Sequence, residues 1–268
     1  MVVAVDVIRW QTVLGGWQSD AVAIAGLTLE AALAATYVLA AMSVSRRRRP
    51  RPWAPTASFL AGLIVLVLAL QSGLASYDDT VPWVHNLQHV LVMSVAPPLL
   101  ALGAPVTLCL QALPTRDARR LVGVLHHPAA RALCGRSAAV HLPLDYYGVM
   151  AIYLFTPAYA LSRDNAAFHI GTHVVFFVCG LLFWVPIVGV DATGWRPAQR
   201  TRVLLVGAGL PINAVIAAAD GSWSLLLAAE AATVLGLALV ATRHRRVPVK
   251  TEVRQARRLA GVTVATGP

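Results

Sequence analysis

The chain has 268 residues, of which 57% are hydrophobic and only 13% are charged. A soluble domain carries about twice that share of charged residues, so the composition excludes an ordinary soluble domain and indicates an integral membrane protein. The formal net charge is +10 at pH 7. The basic residues lie in short blocks between apolar segments, which is typical of cytoplasmic membrane loops. We therefore expect a lipid bilayer as a partner and no nucleic acid.

Seven apolar segments are long enough to cross the hydrocarbon core, which takes about 20 helical residues. A backbone inside lipid must satisfy its own hydrogen bonds, so each segment is predicted to be an α-helix. Since no repeat, low-complexity linker or soluble domain separates them, we expect one all-α integral membrane domain over 1–268, a polytopic helix bundle. The predicted spans are 21–42, 56–75, 84–111, 138–160, 168–190, 202–219 and 223–241.

Prolines in the third span predict an interrupted helix. Pro97, Pro98 and Pro105 all lie within this span. A proline inside a helix removes one backbone donor, and its ring clashes with the preceding turn. We therefore expect a bend or a break between residues 84 and 111 instead of a straight helix.

The loops between the spans predict the orientation of the bundle. Lysine and arginine accumulate in cytoplasmic loops, and twenty of the 22 such residues follow spans one, three, five and seven. Only Arg9 and Arg163 fall on the other side, where the loops carry aspartates instead. The pattern predicts seven crossings of a bacterial plasma membrane, with the N-terminus outside and a basic cytoplasmic tail over 243–268.

Two histidine pairs mark the outer ends of spans three and five. The segment VPWVHNLQHVLVMSV contains His85 and His89, and AFHIGTHVVFFVCG contains His169 and His173. Residues four apart lie on the same face of a helix, about 6 Å apart along its axis. Spans three and five run in the same direction, so the two pairs lie at the same depth. If the two helices are neighbours, all four imidazoles face a common point.

Four imidazoles at one depth favour a metal site. Polar side chains inside spans usually face the bundle interior or a cavity, and imidazole suits copper, zinc, iron and nickel. Met93 lies one turn further inward on the same stripe, and its thioether favours Cu(I). Two alternatives stay open: interfacial histidines bonded to water, phosphate or backbone, and an ordinary core methionine at position 93.

Other polar positions carry weaker signals. His141 and Asp145, in HLPLDYY near the inner end of span four, have the spacing of a capped helix start, a mutual hydrogen bond or a second polar cluster, and we favour a structural role. The sequence contains no Ser/His/Asp order, phosphate-binding glycine loop or HExxH motif. We therefore expect the protein not to be an enzyme.

Three motifs in order, HNLQHVLVMSVAPPLLALGAP, HLPLDYY and FHIGTHVVFFVCGLLFWVPIVGVD, resemble the multi-spanning CtaG family of cytochrome c oxidase assembly factors. The resemblance covers about residues 50 to 240. It implies a membrane factor that assembles a haem-copper oxidase, with cytochrome c oxidase subunits as partners and copper handled at the outer face. On this pattern the family's histidines are His85, His89, His169 and His173.

The sequence thus predicts an assembly factor that holds copper transiently, because a carrier must also release its ion. Three alternatives stay open. A haem-binding electron carrier places one histidine from each of two helices on the iron and absorbs visible light. A metal transporter continues its polar residues through the midplane, and a structural scaffold makes no use of the histidines.

Overall fold

All regular secondary structure is helical in the residues that the computed structural model describes, which are 16–47, 51–77, 82–130, 138–191, 197–220 and 223–243, with no β-strand among them. The predicted all-α fold class is confirmed for this part of the chain. Beyond Arg243, the predicted basic tail lies outside the described residues. We number the α-helices in chain order as α1 Ala21–Arg47, α2 Trp53–Leu70, α3 Pro82–Val90, α4 Ala96–Leu102, α5 Pro105–Ala112, α6 Thr115–Leu125, α7 Ala138–Phe155, α8 Ala158–Asp164, α9 Ala166–Val188, α10 Gln199–Gly207, α11 Gly209–Asp220 and α12 Trp223–Arg243; a 3₁₀ turn spans Ala75–Tyr77 and a π-helix spans Leu91–Val95.

Five helical segments are long and apolar enough to cross a membrane, and they coincide with predicted spans one, two, three, five and six. The protein is therefore a helical membrane protein. Predicted span four corresponds to α7, and predicted span seven contains a shorter apolar helix, Leu226–Thr242. The five segments are Ala21–Arg47, Trp53–Leu70, Trp83–Ala112, Ala166–Val188 and Gln199–Ala219.

The third segment, which we call the central helix (Trp83–Ala112), lies in the middle of the bundle. Buried residues make up 61% of its apolar window, against at most 39% for each of the other four segments. Its parts pack against α2, α9 and α12, while α1 covers α2 and α5. A helix that is covered on most sides can carry polar side chains that lipid would reject.

The central helix is interrupted twice, as its prolines predict. Pro97 and Pro98 have no N–H, so the carbonyls four residues earlier lose their helical donors. Here the helix widens into the π-helix, and the N–H of Ala96 bonds to the carbonyl of Leu91, five residues back. The second interruption is a break at Ala104, which has a positive φ of 49°, before α5 starts at Pro105.

Side chains from outside the central helix hold the second interruption. The carboxylate of Asp191, which follows α9, accepts hydrogen bonds from the N–H of Val106 (2.9 Å) and from the N–H and hydroxyl of Thr107 (2.6 and 2.8 Å). It therefore caps the positive end of α5. Tyr37 and Arg51 donate to the carbonyl of Gly103, at 2.6 and 2.8 Å.

The first interruption creates a close contact with α9. The carbonyl of Met93, one of those without a helical donor, lies against Gly180, and the ring of Pro97 lies beside it. A Cβ at position 180 would overlap the Met93 carbonyl oxygen and approach the Pro97 ring to 2.8 Å. Because both neighbours are rigid, the two helices can lie this close only with glycine at this position.

We expect Gly180→Ala to destabilise the protein, because the new methyl group must push α9 away from the central helix. Overpacking of this kind costs about 1–3 kcal/mol, which thermal unfolding in detergent would detect as a lower midpoint. Gly171→Ala in the same helix is the control, since nothing lies within 4 Å of its added Cβ. Equal unfolding midpoints for the two variants would contradict this packing.

Candidate metal centre

The two histidine pairs occupy corresponding places at the starts of two neighbouring helices. His85 and His89 lie in α3, the first part of the central helix, and His169 and His173 lie in the first two turns of α9. The side chain of Asn165 fixes the start of α9 by accepting a hydrogen bond from the N–H of Phe168 at 3.0 Å. Both helices run away from the histidines, so they are parallel.

The four imidazole rings form one group, as the spacing of the histidines predicts. Within each helix the ring centroids of the pair are 4.4 Å apart. Between the helices, the centroids of His85 and His169 are 5.1 Å apart, and so are those of His89 and His173. The predicted contact between spans three and five is therefore confirmed. We call these four residues the histidine group.

The nitrogen positions suit coordination of one ion with small adjustments. One ligand atom from each of His85, His89 and His169 lies within 4.8 Å of the other two. Metal–nitrogen bonds are about 2 Å long, so two nitrogens on one ion are separated by about 4 Å or less. Side-chain shifts of about 1 Å close the difference. His85 and His89 are 2% and 1% exposed, which removes both rings from competing water.

Tyr153, near the end of α7, ties the histidine group to the rest of the bundle. Its hydroxyl lies 2.8 Å from Nε2 of His85 and 3.2 Å from Nε2 of His89, and the two Nε2 atoms are 2.8 Å apart. The same hydroxyl lies 2.7 Å from Oγ of Ser162 in α8. Three polar atoms from two helices thus converge on the hydroxyl of Tyr153.

The hydrogen bonds around Tyr153 assign its proton. Ser162 donates its only hydroxyl proton to the carbonyl of Tyr159, at 2.8 Å. Tyr153 must then donate to Ser162, which leaves its oxygen free to accept from an imidazole N–H. An imidazole that binds a metal through Nε2 gives up that N–H, and the Tyr153 hydroxyl is positioned beside the proton that would leave. Tyr153 and Ser162 were not found from the sequence, because a lone tyrosine and a lone serine carry no spacing signal.

Phe176 closes the inner side of the histidine group. Its ring centroid lies 4.7 Å from that of His89 and 5.2 Å from that of Tyr153, and the side chain is 1% exposed. Nδ1 of His89 is buried and has no hydrogen-bond partner among the described residues. An unpaired buried nitrogen costs free energy, and coordination of an ion is one way to recover that cost.

The structure places the remaining predicted residues elsewhere. Met93 is buried in the π-helix and, together with Met150, lines a cavity that is separate from the histidine group. His141 and Asp145 lie near the start of α7, where Asp145 is exposed. Twelve residues of helix separate His141 from Tyr153, a distance of about 18 Å at 1.5 Å per residue. The structure therefore does not bring this pair to the histidine group.

Comparison with known proteins gives one family and several relatives. The model of the cytochrome c oxidase caa3 assembly factor family (Caa3_CtaG) matches residues 35–265. An uncharacterized protein of Mycobacterium bovis and one of Mycobacterium tuberculosis are each 30% identical to the chain over 210 residues, which is 75% of this chain and 31% of the relative. An uncharacterized protein of Mycobacterium leprae is 27% identical over 231 residues, 84% of this chain and 34% of the relative. The chain thus spans about a third of the length of these curated relatives. No solved structure matches it.

Proposed function

The chain belongs to the cytochrome c oxidase caa3 assembly factor family, and from that premise we propose that it assembles a haem-copper cytochrome c oxidase by holding copper transiently at the histidine group. The partners in this proposal are the oxidase subunits that receive the ion. In this proposal the protein is a carrier and not an enzyme, because binding and release of an ion change no bond of a substrate. The observation that carries the proposal is that four imidazole rings from two helices form one group, in which the two rings of α3 are buried.

The ligand set favours copper that is bound and released. Imidazole is a good ligand for copper in both common oxidation states. Neutral ligands leave the positive charge of the ion uncompensated, which weakens binding inside a bundle compared with a thiolate cage. The 4.8 Å spread of the ligand atoms of His85, His89 and His169 adds a small cost of adjustment. Both properties suit a site that must pass its ion to another protein.

We further propose seven membrane crossings, with the N-terminus outside and the histidine group at the outer face of the plasma membrane. The two additional crossings are α7 and α12, whose 18 and 21 residues span about 27 and 31 Å, close to the thickness of the hydrocarbon core. The end of α7 contacts His85 through Tyr153, so α7 runs antiparallel to both histidine-bearing helices. That alternation agrees with the clustering of basic residues on one side.

Reporter fusions test the proposed orientation. A reporter fused after residue 48 should be active only if it is of the cytoplasmic type, and one fused after residue 164 only if it is of the external type. Three crossings separate these two positions, and an odd number of crossings places them on opposite faces of the membrane. The control is a fusion after residue 243, which should match residue 48. The same side for residues 48 and 164 would end this topology.

Loss of copper binding in histidine variants tests the proposed site. We expect His85→Ala/His169→Ala to weaken Cu(I) binding by more than about 100-fold, since removal of even an outer-shell partner of a metal ligand costs 10–100-fold. Competition with a Cu(I) chelator on detergent-purified protein measures this change. The matched control is His126→Ala/His127→Ala, which alters two exposed histidines in a row and should leave the affinity unchanged.

Other outcomes separate the remaining functions. Unchanged Cu(I) affinity in the first double variant would contradict a shared copper site and leave a scaffold role. An intense visible absorption band in the purified protein would favour a haem-binding carrier. Copper uptake into proteoliposomes that contain the protein alone would favour a transporter. In cells, the assembly role predicts that the same double variant lowers the copper content of the haem-copper oxidase.

A further inference from the structure

A cavity lies inward of the histidine group, between the central helix, α7, α9, α10, α11 and α12. Its volume is about 40 Å³, which is enough for one or two water molecules or a single ion. Two of the four methionines of the chain, Met93 and Met150, line it. Met93 belongs to the π-helix and Met150 to α7, so the cavity has one methionine from each of two helices on its wall.

The π-helix explains why Met93 lies in this cavity and not beside the histidines. Met93 is four residues after His89. In a regular α-helix its side chain would lie on the same face as that of His89, about 6 Å further inward. The extra residue per turn between Leu91 and Val95 rotates the following side chains relative to that face. Phe176 closes the inner side of the histidine group, so the two sites are separate.

The lining of the cavity selects the kind of ion that it can hold. Among the described residues that line it, none carries a carboxylate, an imidazole or a positive charge. Burying an ion costs free energy that rises with the square of its charge, so a divalent ion is disfavoured here. Thioether sulfur is a soft ligand that prefers Cu(I) to zinc, magnesium or calcium.

The cavity also carries polar groups that an apolar core does not need. The hydroxyls of Ser94 and Tyr146 lie 2.7 Å apart on its wall. The indole of Trp184, a side chain that is 2% exposed, lies on the same wall. Hydroxyl groups on a cavity wall offer hydrogen-bond partners to a polar guest. Water molecules that accompany an ion would bond to these groups.

We propose that this inner cavity is a second Cu(I) site, with Met93 and Met150 as its sulfur ligands, one helical turn inward of the histidine group. The proposal rests on the copper-handling function, because it supplies the ion. It gives copper two adjacent positions, one with nitrogen ligands and one with sulfur ligands. The two ligand types make the positions spectroscopically distinct.

X-ray absorption at the selenium edge tests the inner site directly. The full chain is labelled with selenomethionine and loaded with Cu(I) under reducing, anaerobic conditions. We expect a copper neighbour around about half of the selenium atoms, because two of the four methionines bind. The selenium signal distinguishes methionine ligands from cysteine ligands. The experiment uses the natural sequence, so it does not depend on a variant that might fail to fold.

Leucine variants assign the signal. Met93→Leu/Met150→Leu conserves side-chain volume, a change that usually costs less than about 1.5 kcal/mol, and should abolish the copper–selenium signal and lower Cu(I) from about two ions to about one per protein. Met42→Leu is the control, since Met42 lies in α1 with 45% of its surface exposed. It should leave the signal of the remaining methionines unchanged.

Three results would overturn the inner site: no copper–selenium signal in the labelled protein, a signal that persists in the double leucine variant, or a signal that Met42→Leu removes. The copper edge of the same samples reports nitrogen ligands separately. Nitrogen without selenium around copper would reject the inner site and keep the histidine site. Selenium without nitrogen around copper would reject the histidine site and keep the inner site. The two sites can therefore fail independently of each other.

Discussion

The arrangement of the whole bundle depends on how a helix inside lipid accommodates two consecutive prolines. Pro97 and Pro98 remove two backbone donors where no water can replace them. At this point the central helix widens into a π-helix, and Gly180 lets α9 approach the carbonyl of Met93. This close approach sets the distance between the two histidine-bearing helices. The histidine group therefore depends on the contact between the π-helix of the central helix and Gly180 of α9.

The same π-helix separates the histidine side chains from the side chain of Met93. Before the π-helix, side chains of α3 face α9 and form the histidine group. Within the π-helix, Met93 faces the inner cavity instead. At the far end of the central helix, the break at Ala104 is stabilised by the Asp191 carboxylate. The central helix is thus built of segments that face different neighbours, which a straight helix of the same length does not allow.

Sequence reasoning found the features that depend on local spacing and composition. The i, i+4 histidine pairs and the parity of the spans predicted the contact of spans three and five, and the prolines predicted an interrupted helix. It did not find Tyr153, because this residue reaches His85 from 68 positions away in the chain. The position of Met93 also differs from the predicted one, because the π-helix changes the face on which its side chain lies. Long-range contacts and helix irregularities are set by packing, which no short segment encodes.

The central claim is that imidazoles from both helices bind one copper ion. A structure of the copper-loaded protein with anomalous diffraction measured at the copper edge tests it most directly. We expect a peak among His85, His89, His169 and His173, about 2 Å from a nitrogen of each helix. A peak bound by only one of the two helices, or only at the exposed His126 and His127, would contradict a shared copper site.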